Sequence, residues 1–459
     1  MDLLPSRSSG RAPSARRALV RVRTAVIPAF ALSLALAAPA FPQSHGSDDA
    51  AAPKAEPPAS APPEGPPASR PAPQHEGWYR DGFVFKKGKS QVQLTGYAQE
   101  DFRHFAWEAS GDPLGKKRFK GRELRRTRIG ARAKFGSVSF EVSSEVRKLA
   151  TGSRLKSLNA TYSFSKGLNI RVGFFKLPGS KEFNALTNHT DFVERTMIAS
   201  RLVPERDWGL SAAGTLGRWE YVAGVFQGDG NTSPRRTGTT FASRAAVDVF
   251  PGVQLAGSFL QGRVSAGLGD PAKGASGQTP TGFTFWSRPY VNGMRRRTSA
   301  SLSYTRESFR VLGEYLEERE GREGQGPGGS SLPDVRGHGL SLQASYILTG
   351  ERKTPIVEPR RSLFKGGRGA VELLMRAESL GFDDTGPPTA FVARGTRAAD
   401  IAPVAASAVE AGANYWASDF LKLQLTAMWE RYTDPLTAPV PGRRGPYFSV
   451  ISQVQLTVP

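Results

Sequence analysis

The sequence has no cysteine and only five histidines, and beyond its first forty residues it has no long apolar run. Without cysteine there are no disulfides, thiolate metal sites or cysteine nucleophiles. None of the histidines has the spacing of a metal site, and we expect neither a metal nor a cofactor. A membrane-spanning helix needs about 20 apolar residues, so any crossing of a bilayer by the mature chain would use strands.

Positive charge is abundant, with a formal net charge of +21 over 459 residues. Such an excess raises the question of nucleic-acid binding, because clustered Lys and Arg neutralise phosphates. Residues 1–40 contain six Arg and one Asp, and the other basic residues are spread along the chain. We therefore expect no nucleic-acid partner.

The N-terminal segment has the pattern of an export signal. An Arg-rich start is followed by an apolar stretch at 25–36 and by Ala38-Pro39-Ala40, a small-residue cleavage site. We predict a signal peptide over residues 1–40, with an N-terminal anchor or a transit peptide as alternatives. Residues 41–76 are rich in Pro and Ala, which predicts a periplasmic linker without a fold. Residues 77–459 would form the folded domain.

In that domain, apolar and polar residues alternate with a period of two, as in strands with one apolar face. Arg126, Arg128, Arg132 and Lys134 share one face of the clearest segment, 126–135. The other face carries only apolar residues and one threonine, which are Thr127, Ile129, Ala131, Ala133 and Phe135. The next three segments repeat this split. One side of these strands is apolar, and the other is polar or cationic.

About sixteen such segments follow one another to the end of the chain, which predicts an all-β fold, a transmembrane antiparallel β-barrel. The alternative is a soluble sheet, such as a secreted β-sandwich binding protein. Tyr415, Trp416 and Trp429 are among the aromatic residues for which two positions remain open, the membrane interfaces and ordinary packing between strands. Eight long connections are expected at the external end, namely 106–123, 178–206, 228–239, 262–294, 318–336, 351–368, 383–406 and 433–446.

Several segments resemble the phosphate-selective porin O and P family. They are 171–180, 191–195, 202–209, 221–230 and Ala344-Ser345-Tyr346-Ile347-Leu348-Thr349-Gly350-Glu351-Arg352, which leads into 369–376. The resemblance implies an outer-membrane porin, a sixteen-stranded barrel that forms a homotrimer, with Arg and Lys favouring phosphate or related anions in a constricted pore. Two departures are the final Val458-Pro459 in place of a terminal aromatic, and the long inserts 262–294 and 383–406.

Candidate solute-binding residues are the cations expected to face the lumen. They are Arg126, Arg128, Arg132, Lys134, Arg171, Arg244 and Arg376 on strands, and Arg195, Arg201 and Arg206 in the long loop 178–206, where they could form a constriction. Each could instead form a salt bridge in the wall with Glu141, Glu145, Asp248, Glu372 or Glu378. For Arg295-Arg296-Arg297, lipopolysaccharide contact, a pore-mouth position and plain solvated charge remain open.

We expect passive diffusion of small anions such as phosphate, and no enzyme activity. The expected partners are these anions, outer-membrane lipid and lipopolysaccharide. The enzyme alternative is a barrel-embedded hydrolase, for which His104 and His189 are the candidate bases. Neither sits beside an evident nucleophile in the sequence.

Overall fold

The computed structural model describes residues 82–107, 121–146, 154–228, 237–265, 273–386 and 401–458. The predicted signal peptide and linker lie outside these residues. None of the described helices is long and apolar enough to cross a membrane.

Nineteen strands are present in the described residues, and sixteen of them close into an antiparallel barrel. They are β1 (Phe83–Lys87), β2 (Ser90–Phe105), β3 (Gly121–Phe135), β4 (Val138–Glu145), β5 (Arg154–Ser163), β6 (Asn169–Lys176), β7 (Arg206–Leu216), β8 (Trp219–Phe226), β9 (Thr237–Phe250), β10 (Val253–Val264), β11 (Gly277–Gln278), β12 (Thr284–Trp286), β13 (Gly293–Arg306), β14 (Phe309–Arg322), β15 (Leu332–Ile347), β16 (Ala370–Asp384), β17 (Val404–Trp416), β18 (Leu421–Tyr432) and β19 (Tyr447–Thr457). Strand β19 pairs with β2 and closes the sheet, from Ser449 opposite Phe105 to Thr457 opposite Tyr97. The predicted sixteen-stranded barrel is confirmed, and the β-sandwich alternative is wrong because one sheet closes on itself.

The outer face of the barrel is apolar. Ile129 is 58% exposed on β3, and Leu210 and Leu302 are about as exposed on β7 and β13, while Arg132 is buried toward the inside. Such a surface suits hydrocarbon, and closure leaves no unpaired backbone edge there. Of the two alternatives for Trp416, the structure shows packing inside the barrel, where it is buried against Lys422. Tyr415 and Trp416 are consecutive, so only one of them can face outward.

Tight turns gather at one end of the barrel, together with one long connection (residues 348–369), and the other long connections lie at the opposite end. At Gly252 in one tight turn φ is 81°, and a Cβ there would lie 2.3 Å from the carbonyl oxygen of Thr305, so glycine is required. The prediction that 351–368 is an external loop is wrong, since it follows Ile347 at the tight-turn end. The connection between β4 and β5, which is not in the predicted set, takes its place among the long connections.

Two segments from the long-loop end fold into the barrel. The inner loop (residues 177–205) carries helices α1 (Lys181–Asn184) and α2 (Met197–Arg201). The second inward segment (residues 273–292) carries β11 and β12, and its Trp286 stacks on Phe382 of β16 at 5.4 Å. Together they form an apolar core against the inner faces of β14 to β19. This packing fills one side of the lumen and leaves cavities along β2 to β5.

Candidate solute passage

Strand β3 carries a row of cations toward the lumen. Arg126, Arg128, Arg132 and Lys134 lie opposite Gln99, Tyr97, Gln93 and Gln91 of β2. Arg126 Nη1 donates to Gln99 Oε1 at 3.1 Å, and the Arg128 guanidinium lies 5.4 Å from the Tyr97 ring centroid. The side-chain alternation predicted from the sequence therefore places all four on the same inner face.

A β-bulge adds a cation that sequence reasoning missed. The pairing of β2 with β3 shifts register between Gln99 and Glu100, so Arg125 and Arg126 both reach the lumen side. Arg125 Nη2 lies 2.9 Å from Glu194 Oε1 of the inner loop. Strict alternation would have placed Arg125 on the outer face, and the sequence itself carries no evident signal for the bulge.

The inner loop is held by polar side chains of the opposite wall. Ser180 Oγ caps α1 by accepting from Phe183 N at 3.0 Å, and it also donates to Glu314 Oε2 at 2.9 Å. Met197 N, at the start of α2, donates to Glu378 Oε2 at 2.5 Å. These backbone and side-chain donors would be unsatisfied without the wall carboxylates, so the loop has a defined position in the lumen.

Three amide and ammonium donors hold the middle of the same loop. Asn414 Nδ2 and Gln424 Nε2 donate to the carbonyl oxygen of Asp191 at 3.0 and 2.9 Å, and Lys422 Nζ donates to that of Thr190 at 2.8 Å. Lys353, in the turn-end segment 348–369, bridges Asp191, at 2.6 Å, and Glu372. The loop is thus attached to β16, β17, β18 and the turn-end segment.

The attached loop presents its cations toward β3. Arg195 Nη2 donates to the Ala185 carbonyl oxygen at 2.7 Å, and its guanidinium lies 5.2 Å from the Phe183 ring centroid. Neither Arg195 nor Arg201 forms an ion pair in the part of the chain that the structure describes. Burial, together with Arg126, lowers the pKa of Arg195 to about 10, and burial lowers the pKa of Arg201 to about 10. Both remain positively charged at neutral pH.

Two cavities lie between this loop and the wall. The larger, about 220 Å³, is bounded by Arg103, Arg125, Glu194, Arg195, Arg201 and residues 278–282 of the second inward segment. The smaller, about 50 Å³, is bounded by residues that include Tyr97, Arg128, Arg132, Ser157, Asn188 and Arg206. Wall and loop arginines therefore meet at two successive places, which together we call the passage.

Carboxylates neutralise part of this charge. Although burial alone raises it, Arg125, Arg103 and Arg126 hold the pKa of Glu194 well below its usual range. Two other carboxylates lie farther from their arginines: Glu145 is 3.9 Å from Arg128, and Glu141 is 3.9 Å from Arg132. Among the described residues, the cations that line the two cavities or form ion pairs beside them are Arg103, Arg125, Arg126, Arg128, Arg132, Lys156, Arg195, Arg201 and Arg206, and the carboxylates are Asp101, Glu123, Glu141, Glu145, Glu194 and Glu205. Nine cations against six carboxylates leave a net charge of +3.

The other candidate residues lie elsewhere. Lys134 is exposed at the turn end of β3, and Arg244 is half-buried on β9, opposite Ser258. Arg171 Nε donates to Thr161 Oγ1 at 3.3 Å on the neighbouring strand. Arg376 is fully buried, with Nη2 2.6 Å from Glu410 and 3.6 Å from Glu378. The structure thus groups Arg126, Arg128 and Arg132 with Arg195, Arg201 and Arg206, and their roles stay predictions.

The two candidate catalytic bases, His104 and His189, lie in different parts of the protein and do not form one site. His104 is exposed on the outer face of β2, whereas His189 is buried in the inner loop. Among the described residues, no group of three or more His, Asp or Glu side chains is arranged to hold a metal ion.

Comparison with known proteins gives a family and a set of similar folds. The family model described as phosphate-selective porin O and P matches residues 92–455, which is more than half of the chain. No curated protein matches the chain.

Solved structures of outer-membrane proteins share the fold at low sequence identity. In vitro folded OmpT of Vibrio cholerae is 10% identical, with a TM-score of 0.53, covering 82% of this chain and 99% of that one. The anion-selective porin from Comamonas acidovorans is 16% identical, with a TM-score of 0.51, covering 80% and 99%. The outer membrane channel DcaP of Acinetobacter baumannii is 11% identical, with a TM-score of 0.52, covering 82% and 99%.

Proposed function

Since the chain belongs to the phosphate-selective porin O and P family, we propose that its outer-membrane channel lets small anions such as phosphate diffuse passively. The observation that carries this proposal is the excess of positive charge around the passage, nine cations against six carboxylates among the described residues. Because low-dielectric walls focus the field of such an excess, anions concentrate in the passage and cations are repelled.

Arginine suits this role for a second reason. Its planar guanidinium can donate two parallel hydrogen bonds to phosphate or carboxylate oxygens, which replaces part of the hydration that the anion loses on entering. Arg195 and Arg201 have no carboxylate partner among the described residues, so their charge is available to a solute. Both border the larger cavity, which would be the first site reached from the external side.

Transit then requires that no single site hold the anion too tightly. In the smaller cavity, Arg128 and Arg132 have carboxylates at 3.9 Å, which weakens their attraction for a solute. An anion would move from the more positive larger cavity past Arg126 to these partly neutralised arginines. Several moderate sites in sequence allow both selectivity and release.

We propose no enzyme activity, because a channel needs no catalytic group. The hydrolase alternative has little support, with one candidate base on the outer wall and the other buried in the inner loop. A homotrimer, implied by the family resemblance, is also proposed; among the similar structures, OmpT of Vibrio cholerae has a trimer form.

The test is inhibition of chloride current by phosphate at fixed ionic strength in planar bilayers. If phosphate binds in the passage, it will lower the chloride current of the native channel at concentrations where sulfonate buffers do not. Replacing both Arg195 and Arg201 with Gln should weaken this block. The control Arg122→Gln, on the outer face of β3 with its side chain 72% exposed, should leave it unchanged. Equal block in all three proteins would refute binding in the passage.

A further inference from the structure

The outer wall of the barrel carries a row of three arginines on neighbouring strands. Arg296 of β13 lies directly opposite Arg319 of β14, which lies directly opposite Arg336 of β15. The flanking Arg295 and Arg297 point the other way and are buried with Glu318, at 3.5 and 2.7 Å. Strand alternation thus separates the Arg295-Arg296-Arg297 run, and only its middle member faces outward.

The row holds more positive than negative charge. Arg336 forms a bidentate pair with Asp383, at 2.9 and 2.6 Å, and Arg319 Nε donates to Glu317 at 2.6 Å. Arg296 has only the amide oxygen of Gln261, at 3.2 Å, and forms no ion pair with a described residue. Like charges directly opposite each other in a sheet are destabilising, so an external anion would stabilise this row.

The depth of the row indicates where such an anion would come from. Arg319 lies ten residues beyond Phe309, the first residue of β14 at the turn end. At about 3.3 Å per residue and a tilt of about 40°, ten residues rise roughly 25 Å, the height of the apolar band of an outer-membrane barrel. The arginines therefore lie at the external edge of the hydrocarbon, level with lipid headgroups.

Below the row and a polar tier of Thr298, Glu317 and His338, the outward side chains are suited to acyl chains. Phe259, Tyr315 and Leu340 lie on β10, β14 and β15, face outward and are each about two-fifths exposed. The arginines remain accessible above them, with side-chain exposures of 53% for Arg319 and 35% for Arg336. Cationic donors above an apolar surface match an anionic headgroup above acyl chains.

We propose that Arg296, Arg319 and Arg336 bind the phosphate groups of lipopolysaccharide in the external leaflet. Guanidinium forks donate paired hydrogen bonds to phosphate oxygens. Arg296, which has no carboxylate partner among the described residues, contributes the charge that an anion neutralises. This site is on the outside of the barrel and is independent of anion passage through the lumen.

Native mass spectrometry of the intact detergent-solubilised protein tests this proposal, with bisphosphorylated lipid A as the probe. Native protein should bind lipid A, and Arg296→Gln/Arg319→Gln should bind it more weakly, by about tenfold for each lost charge-assisted contact. Arg336 is left in place so that Asp383 keeps its partner. The control Arg122→Gln removes another exposed outer-wall arginine and should bind as the native protein does.

Three further arms keep the result unambiguous. Dephosphorylated lipid A should bind weakly to every variant, inorganic phosphate should not displace lipid A, and Arg296→Gln alone should lower affinity with the fold intact. Equal lipid A binding by native and double-variant protein would refute the site. Loss of subunit association with unchanged lipid binding would instead identify a protein interface and also overturn the proposal. Chloride conductance should be the same in all variants.

Discussion

Reversing the charge of Arg195 and Arg201, which form no ion pair with a described residue, is predicted to reverse the charge preference of the channel. Arg195→Glu/Arg201→Glu changes the net charge around the passage from +3 to −1. Two unit charges about 4 Å apart interact with about 1 kcal/mol in water and about 4 kcal/mol at an effective dielectric constant of about 20. Taking the lower value, each reversal removes one attraction and adds one repulsion, so a monovalent anion loses about 4 kcal/mol in all.

Since about 1.4 kcal/mol corresponds to a factor of ten, this loss lowers anion partitioning by nearly three orders of magnitude. The assay is the reversal potential of single channels in a tenfold salt gradient, where ideal selectivity gives about 59 mV. The double variant should show the sign of a cation-preferring channel, and Arg195→Gln/Arg201→Gln a smaller shift in the same direction. Arg122→Glu, on the outer wall, is the control and should not shift.

An unchanged reversal potential in a folded double variant would refute the assignment of these residues to the passage. Folding is checked by the heat-dependent shift in gel mobility of the barrel, compared with native protein. If the Glu variant fails this check, the Gln pair decides the question.

Three other predictions concern the inner loop and the barrel wall. Burial, with Arg310 and Arg244 nearby, lowers the pKa of Lys181 to about 7. Its amine is charged below that pH and neutral above it, so anion preference should fall from about pH 6 to about pH 8, and in Lys181→Met it should fall less over this range. Asp191→Asn weakens the contact between Asp191 and Lys353, which are 2.6 Å apart, so the single-channel current should become noisier. The control Arg122→Gln should have the current noise of the native channel. Equal noise in Asp191→Asn and the control would mean that this contact does not hold the loop. Leu302→Arg places a charge on the outer apolar face of β13, where it should lower the free energy of unfolding by about 2–4 kcal/mol near the bilayer midplane. Denaturant unfolding in lipid vesicles measures this change. No loss of stability would place this face outside the hydrocarbon.

The faces of the strands could be predicted because a period of two leaves little freedom once one face is apolar. The row from Arg126 to Lys134 is an example, and the structure places all four cations on the inner face. The inward position of Arg125 could not be predicted, because it depends on a bulge in the pairing of β2 with β3, and the sequence of β3 alone does not show how the two strands pair. The same limit explains the misplaced 351–368 segment, since one omitted connection shifts which end a loop belongs to.

The candidate site was harder to predict than the wall. Arg376 and Arg128 occupy equivalent polar positions in alternating strands, yet Arg376 is sealed among Glu410, Glu378 and the inner loop while Arg128 borders a cavity. The difference comes from where the loop packs, and this depends on contacts between residues far apart in sequence, such as Asn414 with Asp191. No local pattern contains that information.

The sign of the native channel's reversal potential in a salt gradient tests the central claim most directly. The excess of arginine between β3 and the inner loop predicts that anions cross more readily than cations, so the potential should lie toward the equilibrium potential of the anion. A value on the cation side in potassium chloride would contradict the account, whatever the variants show.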